Sequence, residues 1–196
     1  MTEVKAEASK IRKSGIFTFI FIGRLVRDKG INELVRAFSN INSQKPHTRL
    51  LLVGSYEENL DPLEPETIAG IDNNKAIEAV GRQNDVRPWL AASDAFVFPS
   101  YREGFPNVVI EAGAMCLPSI VTDINGSREI IIEGKNGTII PPRDADALYM
   151  AMKSFLEYPD IRTEMATNAR PLIASRYEQS YVRRCLKEYY KEILPR

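Results

Sequence analysis

The chain has 196 residues, with 26 acidic and 26 basic side chains and a typical apolar content, which permits one domain with a full hydrophobic core or a domain with a small appendage. Because the formal net charge is zero, nothing global favours binding to nucleic acid or to an anionic membrane. The apolar runs are shorter than the ~20 residues of a membrane helix and no signal-peptide core is present, so a cytoplasmic protein without direct membrane insertion is predicted.

The cysteines and the single histidine argue against several kinds of site. Cys116 and Cys185 do not form a C-x-x-C pair, so the sequence predicts neither a zinc site nor a disulfide framework. His47 lies in a polar loop and is interpreted as an ordinary surface residue rather than a catalytic base or a metal ligand. These residues thus signal no zinc site and no histidine-rich metal site. We expect no metal and no cofactor.

The first part of the chain predicts a lead-in followed by a strand and a helix. Residues 1–15 are polar and charged, and we expect them to be frayed or disordered apart from a helical turn. Residues 16–22 are apolar at both parities, which is typical of a strand covered on both faces. A basic turn with Arg24 and Lys29 follows, and apolar residues then recur at helical spacing from Ile31.

Similar units fill the rest of the chain. Further strands are predicted at 48–53, 77–81, 95–100, 118–122 and 138–140, and helices at 64–71, 86–92, from Pro106, and at 128–132, 144–157, 159–175 and 179–194. Ser127 is expected to cap the helix at 128–132. Six strands that alternate with helices predict an α/β fold, a Rossmann-like doubly wound parallel six-stranded sheet with helices on both faces.

This fold would bring several charged residues to one edge. Ligands of doubly wound sheets bind at the carboxyl ends of the strands, and the residues that follow predicted strands are Arg24, Lys29, Gly81, Arg82 and Glu103. We assign residues 16–175 to this domain and residues 176–196 to a C-terminal helix. Tyr181, Tyr189 and Tyr190 of that helix are expected to pack against the domain.

The stretch 101–112 contains two acids around a predicted helix start. Pro106 suits the first turn of a helix, whose unpaired N–H groups and positive dipole end favour an anion such as a phosphate. Glu103 precedes the helix, and Glu111 lies about 7–8 Å along its axis. Taken alone, both glutamates are more typical of solvated side chains, just as Arg24 and Lys29 are typical of a charged turn that faces solvent.

Three other motifs bear on the class of site. Asp144-Ala145-Asp146 resembles a metal-binding aspartate pair, but its place at the start of a helical pattern favours a helix N-cap. Neither G-x-G-x-x-G nor G-x-x-x-x-G-K-[ST] is present, which argues against a dinucleotide oxidoreductase and against a P-loop enzyme.

The order of these features resembles a known family. The segments are Gly23-Arg24-Leu25, Lys29-Gly30, Val53-Gly54, Gly81, Ser93–Ser100, Glu103–Pro106, Glu111-Ala112, Pro118 and Asn136-Gly137. In this order they resemble the donor-binding, C-terminal half of the retaining glycosyltransferases of group 1 (family 4, GT-B fold), from about Ile16 to the end of the chain. Two glutamates separated by seven residues form that family's signature, and Glu103 and Glu111 match both positions.

The resemblance implies roles for these residues in transfer from a nucleotide diphosphate sugar, expected to be a UDP-sugar. It implies that Arg24 and Lys29, after Gly23, hold the diphosphate and stabilise the leaving nucleotide, and that Glu103 lies beside the transferred sugar. It further implies that Glu111 accepts hydrogen bonds from the ribose. The remaining donor-binding residues implied are Arg82 near the base and Gly104, Phe105, Pro106 and Asn107, whose backbone faces the sugar and phosphate.

The sequence departs from the family pattern in two places and in its length. Cys116 stands where the family commonly has Gly, and Asn125 stands where a Gly often precedes Gly126. The family's enzymes also have an N-terminal acceptor domain, for which this chain has no room, and the resemblance implies that residues 176–196 would cross to it. We therefore expect the chain alone to be inactive.

The resemblance also implies a cellular role and leaves two alternatives. The expected acceptor is a saccharide or lipid-linked glycan in surface polysaccharide or glycoconjugate biosynthesis, with the full-length enzyme peripheral to the inner face of the membrane. A non-catalytic sugar-nucleotide-binding or sensing module of the same fold is one alternative, and a Rossmann-like oxidoreductase is the other.

Overall fold

Six parallel strands form one sheet at the centre of the computed structural model, which describes residues 2–57, 59 and 61–194. Their order across the sheet is β3-β2-β1-β4-β5-β6. The bounds are β1 Phe17–Ile22, β2 Thr48–Val53, β3 Ile77–Gly81, β4 Ala95–Phe98, β5 Ser119–Thr122 and β6 Gly137–Ile140. The predicted doubly wound parallel sheet is confirmed.

The core lies on both faces of the central strands. Both parities of β2 and β4 are buried, which explains why their sequences are apolar without alternation. Phe21 of β1 stacks on Phe98 of β4 with ring centres 5.8 Å apart. The strand order reverses between β1 and β4, and ligands of such sheets bind in the crevice beyond this point. The buried strands therefore support a site at the carboxyl ends of β1 and β4.

Helices cover both faces of the sheet. Their bounds are α1 Thr2–Ile11, α2 Ile31–Gln44, α3 Pro65–Asn73, α4 Arg87–Ala91, α5 Asn107–Ala114, α6 Ser127–Ile130, α7 Ala145–Glu157, α8 Pro159–Tyr177 and α9 Gln179–Ile193, with a 3₁₀ turn at Arg27–Lys29. Contacts group α2 with α3 and α7, and separately α1 with α4 and α5 with α8. Right-handed crossovers explain this division, because the chain moves in opposite directions from β1 to β3 and from β4 to β6.

The lead-in differs from the expectation of disorder, because Thr2–Ile11 forms helix α1. Ala8 is buried, and α1 packs against α4. The guanidinium of Arg12 donates to Asp94 at 2.6 Å, and that of Arg49 donates to the carbonyl oxygen of the last residue of α1 at 2.8 Å. These partners are distant in sequence, so the polar composition of the lead-in gives no sign of its anchors.

Three residues at helix ends test local predictions. Asp144 Oδ1 accepts a hydrogen bond from the N–H of Ala147 at 2.8 Å, so the N-cap interpretation is confirmed. Ser127 does not cap α6, because it is the first residue of that helix and its buried hydroxyl has no hydrogen-bond partner among the described residues. Cys116 has φ 62°, a left-handed conformation that glycine adopts more readily, so the conformation favours Gly rather than Cys at this position.

Helix α9 projects an apolar surface into solvent. None of its residues is buried, and Tyr181, Tyr189 and Tyr190 are 39%, 57% and 49% exposed. The prediction that these tyrosines pack against the domain is therefore wrong, because the described chain provides no partner for this face. Residues 1, 195 and 196, which belong to the predicted lead-in and C-terminal segment, lie outside the described residues. Across the described ranges, no helix combines the length and apolar character needed to span a bilayer.

Candidate active site

The carboxyl ends of three neighbouring strands form the base of an open cleft. The N–H of Gly23 donates to the carbonyl oxygen of Val53, and the N–H of Gly54 donates to that of Gly81, each at 3.0 Å. A Cβ atom on Gly54 would overlap the carbonyl oxygen of Gly23. Glycine is therefore required where β2 leaves the sheet, and the backbone there can lie close to a ligand.

The cleft has a volume of about 320 Å³. It is lined by Ile22, Gly23, Arg24, Val53, Gly54, Ser55, Glu57, Arg82, Gln83 and Val86. Three residues that the sequence analysis assigned to donor binding, Gly23, Arg24 and Arg82, therefore lie in one concave site. Its mixed polar and apolar lining is typical of a small-molecule site.

Arg24 is paired with an acid that the sequence analysis did not identify. Its Nη1 atom lies 2.9 Å from Glu57 Oε2, and the two side chains are 54% and 29% exposed. An exposed ion pair contributes about 0–1 kcal/mol, so the guanidinium remains available to a more strongly charged anion. Glu57 follows β2 as Arg24 follows β1, and the rule that placed Arg24 at this edge would have found it.

Lys29 and Glu103 meet across two loops. The 3₁₀ turn that carries Lys29 ends at Gly30, which has φ 71° and where a Cβ would overlap the carbonyl oxygen of Pro99. This close approach brings the Lys29 ammonium into contact with the Glu103 carboxylate and within 5.8 Å of the centre of the Phe98 ring. The paired side chains are 16% and 15% exposed, so water screens this pair less than it screens Arg24 and Glu57.

Asp28 joins the loop of Glu103 to the turn of Lys29. Its carbonyl oxygen accepts from the N–H of Tyr101, and its carboxylate accepts from Nε of Arg102, both at 2.8 Å. Its own N–H donates to Asp61 at 2.6 Å. Burial alone raises the pKa of Asp61, but hydrogen bonds from this N–H and from Arg27 bring the pKa below its usual value. The two loops thus form one hydrogen-bonded unit.

The predicted anion-binding helix start is present one residue later than expected. Helix α5 begins at Asn107, with Pro106 as its N-cap residue. Within the described chain, the N–H groups of Asn107 and Val108 have no hydrogen-bond partner, so they are free to bind an anion. The ring of Phe105 packs edge-on against Tyr177 with centres 5.6 Å apart, which attaches the loop to α8.

Gly126 supports this loop from the opposite side. It has φ 83°, and a Cβ there would lie 2.6 Å from the carbonyl oxygen of Gly104 and 2.8 Å from Cδ of Pro106. The turn after β5 therefore packs directly on the backbone that precedes α5. Asn125, which stands next to Gly126 where the family often has another Gly, accepts a hydrogen bond from Arg128 at 2.6 Å. It leaves the packing of Gly126 intact.

Glu111 lies on the exposed side of α5, four residues after the helix start and therefore about 6 Å along its axis. Desolvation raises its pKa above the usual value. Among the described residues, no hydrogen bond or ion pair reaches its carboxylate. A carboxylate that is partly desolvated and unpartnered is suited to accept hydrogen bonds from a ligand.

These features agree with a comparison to known proteins. The chain matches the family model for glycosyl transferases group 1 over residues 4–171. It belongs to the group 1 glycosyltransferases. The match begins within α1, so the lead-in helix is covered by the family model.

Individual relatives cover the domain but are longer than this chain. The capsular polysaccharide biosynthesis glycosyltransferase CapM of Staphylococcus aureus is 28% identical over 178 residues, which are 91% of this chain and 47% of CapM. The crystal structure of Anabaena Alr3699/HepE in complex with UDP aligns with a TM-score of 0.86 and 21% identity over 96% of this chain and 53% of that one. The chain thus spans about half the length of these relatives.

A third relative has a similar extent. The crystal structure of the C-terminal domain of LpcC, a group 1 family protein from Francisella tularensis, aligns with a TM-score of 0.78 and 21% identity over 89% of this chain and 93% of that domain. The similarity to the HepE and LpcC crystal structures shows that this chain has the Rossmann-like fold of GT-B glycosyltransferases.

Proposed function

We propose that this chain is the donor-binding, C-terminal domain of a retaining glycosyltransferase that transfers a hexosyl or N-acetylhexosaminyl group from a UDP-sugar. The observation that carries the proposal is the Lys29–Glu103 pair, which joins the turn after β1 to the loop that leads into α5. Family membership indicates the class of reaction, and we assign the site of that reaction to the surroundings of this pair.

The diphosphate lies between the cations and the start of α5. In the transfer, the bond between the anomeric carbon and the diphosphate oxygen breaks, and its electron pair stays on that oxygen. An acceptor hydroxyl forms the new bond to carbon, and its proton passes to the oxygen of the leaving diphosphate. Arg24, Lys29 and the N–H groups of Asn107 and Val108 offset the charge that develops on the leaving nucleotide, which is electrostatic catalysis by fixed groups. No carboxylate nucleophile and no metal are assigned.

The other parts of the donor occupy neighbouring positions. Glu103 lies beside the transferred sugar, with the backbone of residues 104–107 on the sugar and phosphate. Glu111 accepts hydrogen bonds from the ribose hydroxyls, a role supported by its unpartnered, partly desolvated carboxylate. The base enters the cleft beside Arg82, where Gln83 and Val86 add a polar and an apolar surface.

Two relatives support the proposed donor and the proposed acceptor. HepE was crystallised with UDP, which favours uridine as the nucleoside. CapM is named for capsular polysaccharide biosynthesis, which favours a saccharide or lipid-linked acceptor in surface polysaccharide or glycoconjugate assembly. Such an enzyme acts in the cytoplasm, with the full-length protein peripheral to the inner face of the membrane.

The acceptor site belongs to a second, N-terminal domain. This proposal is supported by the relatives' greater length and by the match to an isolated C-terminal domain. The exposed apolar face of α9 fits a helix that crosses to that domain. The chain alone therefore binds the donor but transfers little, because acceptor positioning and closure over the donor require both halves.

Isothermal titration calorimetry with UDP tests the site. We expect the wild-type chain to bind UDP and the Lys29→Ala and Glu111→Ala variants to bind it at least about tenfold more weakly, since each loses a charge-assisted contact. Lys153→Ala is the matched control, because Lys153 lies on α7 and pairs with Glu157. No binding by wild type, or equal binding by all four proteins, contradicts the assignment.

A second experiment separates an enzyme from a binding module. The chain is mixed with the N-terminal domain of a group 1 relative, and transfer from a UDP-sugar to a lipid-linked saccharide is measured. Transfer that appears only with both domains supports the proposal. Robust transfer by the chain alone contradicts the division between two domains, and donor binding without any transfer favours the non-catalytic alternative.

A further inference from the structure

The two carboxylate oxygens of Glu103 have different surroundings. Oε1 accepts hydrogen bonds from Lys29 Nζ and from Ser100 Oγ. No hydrogen bond from the described residues reaches Oε2, and because Oε2 is not among the buried atoms that lack a partner, it keeps some contact with solvent. One oxygen of this side chain is therefore fixed by the protein, and the other is free.

Ser100 is placed to hold that arrangement. It is fully buried, and its hydroxyl lies 2.8 Å from Glu103 Oε1, compared with 3.4 Å and 3.2 Å from the carbonyl oxygens of Asp28 and Arg102. A serine has one hydroxyl proton to donate, and the shortest contact, to a charged acceptor, receives it. The hydroxyl of Thr122 in turn donates to the carbonyl oxygen of Ser100, which fixes the backbone below the site.

Lys29 completes the arrangement. Its ammonium has three N–H donors, of which one is used by Oε1 of Glu103. The other two remain for phosphate oxygens, so the contact with Glu103 orients the ammonium without consuming its capacity. Ser100 and Lys29 thus both donate to Oε1 of Glu103 and hold it against the protein.

We propose that Ser100 is a positioning residue that commits Oε1 of Glu103 to the protein, so that Oε2 alone accepts a hydroxyl of the donor sugar. This inference rests on the proposed function, because it requires the sugar to lie beside Glu103. Ser100 acts through Glu103 and does not contact the donor. It therefore affects recognition of the sugar and leaves recognition of the nucleotide unchanged.

The test compares the affinities of the chain for UDP and for a UDP-sugar by calorimetry. The probe is whichever of UDP-glucose, UDP-galactose, UDP-N-acetylglucosamine and UDP-N-acetylgalactosamine the wild type binds most tightly. We expect Ser100→Ala to weaken binding of that UDP-sugar about fivefold, the value of one ordinary hydrogen bond, and to leave UDP binding within about twofold. Ser119→Ala is the matched control, because Ser119 is an equally buried serine on the neighbouring strand β5.

A double-mutant cycle checks that Ser100 works through Glu103. We expect the Ser100→Ala, Glu103→Gln double variant to lose no more preference for the UDP-sugar than Glu103→Gln alone. If Ser100→Ala does not fold, Ser100→Cys replaces the hydroxyl with a weaker donor and is expected to shift the preference in the same direction by a smaller factor.

The outcomes separate this inference from the proposed function. If wild type binds neither UDP nor any UDP-sugar, the proposed function fails and the inference fails with it. If wild type binds both but Ser100→Ala keeps the wild-type preference, the inference alone is overturned. Equal weakening for UDP and the UDP-sugar, or additive losses in the cycle, likewise overturns it, because Ser100 would then have a general structural role.

Discussion

The ammonium of Lys29 contacts the carboxylate of Glu103 across 74 positions of sequence, and both side chains are largely shielded from water. The contact depends on Gly30, which allows the turn to approach the carbonyl oxygen of Pro99, and on Asp28, which ties the turn to the loop after β4. The group that is proposed to hold the diphosphate and the group that is proposed to face the sugar therefore share one rigid support.

Removing the charge of Lys29 separates stability from binding. We expect Lys29→Met to lower the free energy of unfolding by about 1–3 kcal/mol, because the carboxylate of Glu103 is left partly buried with less compensation, and to abolish UDP binding. Adding Glu103→Gln should recover most of the stability, since the unpaired charge is gone, but not the binding. Urea denaturation and calorimetry measure the two properties, and a double variant that regains UDP binding would contradict the role of Lys29.

Gly126 provides a test of the support beneath the loop. Gly126→Ala places a Cβ in the left-handed region and against Gly104 and Pro106, and we expect it to cost about 2–3 kcal/mol of stability and to weaken UDP binding. Gly134→Ala is the matched control, because Gly134 has φ 72° but no atom within 4 Å of its ideal Cβ. The control should lose about 1 kcal/mol and bind UDP normally. Similar UDP affinities for both variants would show that the contact does not shape the site.

The sequence predicted the sheet well because its signals are local. Runs such as 48–53 are apolar at both parities, and glycines stand where strands must end close together, as at Gly23 and Gly54. These features report on burial and on backbone geometry, which are read directly from composition and spacing. Arg24 and Arg82 follow predicted strands, so they could be placed together at the carboxyl edge of the sheet, where both line the cleft.

Contacts between distant segments were missed for the same reason. Helix α1 is anchored by Asp94 and Arg49, and Ser100 holds Glu103 from within the core. A buried serine at the end of an apolar run has no distinguishing pattern, because its function depends on a partner that only the fold brings near. The exposed tyrosines of α9 show the converse, since an apolar helical face predicts burial but does not identify what covers it.

Cys116 offers a stability test that does not involve the site. Because its φ is 62°, we expect Cys116→Gly to raise the free energy of unfolding by about 0.5 kcal/mol, the relief of left-handed strain less the greater entropy of glycine in the unfolded chain. Cys116→Ala keeps the strain and should not stabilise the protein. Chemical denaturation of the three proteins decides this, and equal stability of the Gly and Ala variants would show that backbone strain at this position is negligible.

Glu57 forms an ion pair with the guanidinium of Arg24, which is proposed to bind the diphosphate. A bound diphosphate would displace this carboxylate or lie close to it, and either event opposes binding. We expect Glu57→Gln to raise the affinity for UDP about two- to fivefold, more at low than at high salt, because the contact is exposed and screened. Asp85→Asn is the control, since Asp85 pairs with Arg87 outside the cleft lining. Weaker binding by Glu57→Gln would show instead that Glu57 positions Arg24 for the donor.

The raised pKa of Glu111 predicts opposite effects on stability and binding. Its usual value is 4.5 and desolvation raises it in the folded chain, so the folded protein holds this proton more tightly than the unfolded chain does. As pH rises from 4.5 through the raised pKa, the unfolded chain ionises first and the contribution of Glu111 to stability falls; above the raised pKa the loss is constant.

The variant Glu111→Gln removes this loss because the amide does not ionise. Relative to wild type, it should gain stability as pH rises through this window and keep the gain at pH 7, yet bind UDP at least about fivefold more weakly, since a carboxylate that accepts from ribose hydroxyls is gone. Glu164→Gln, at an exposed position on α8, is the control for both measurements. Denaturation across pH 4 to 8 and calorimetry with UDP test the prediction, and a variant that loses stability at pH 7 while binding UDP normally would contradict both the desolvated environment and the ribose contact.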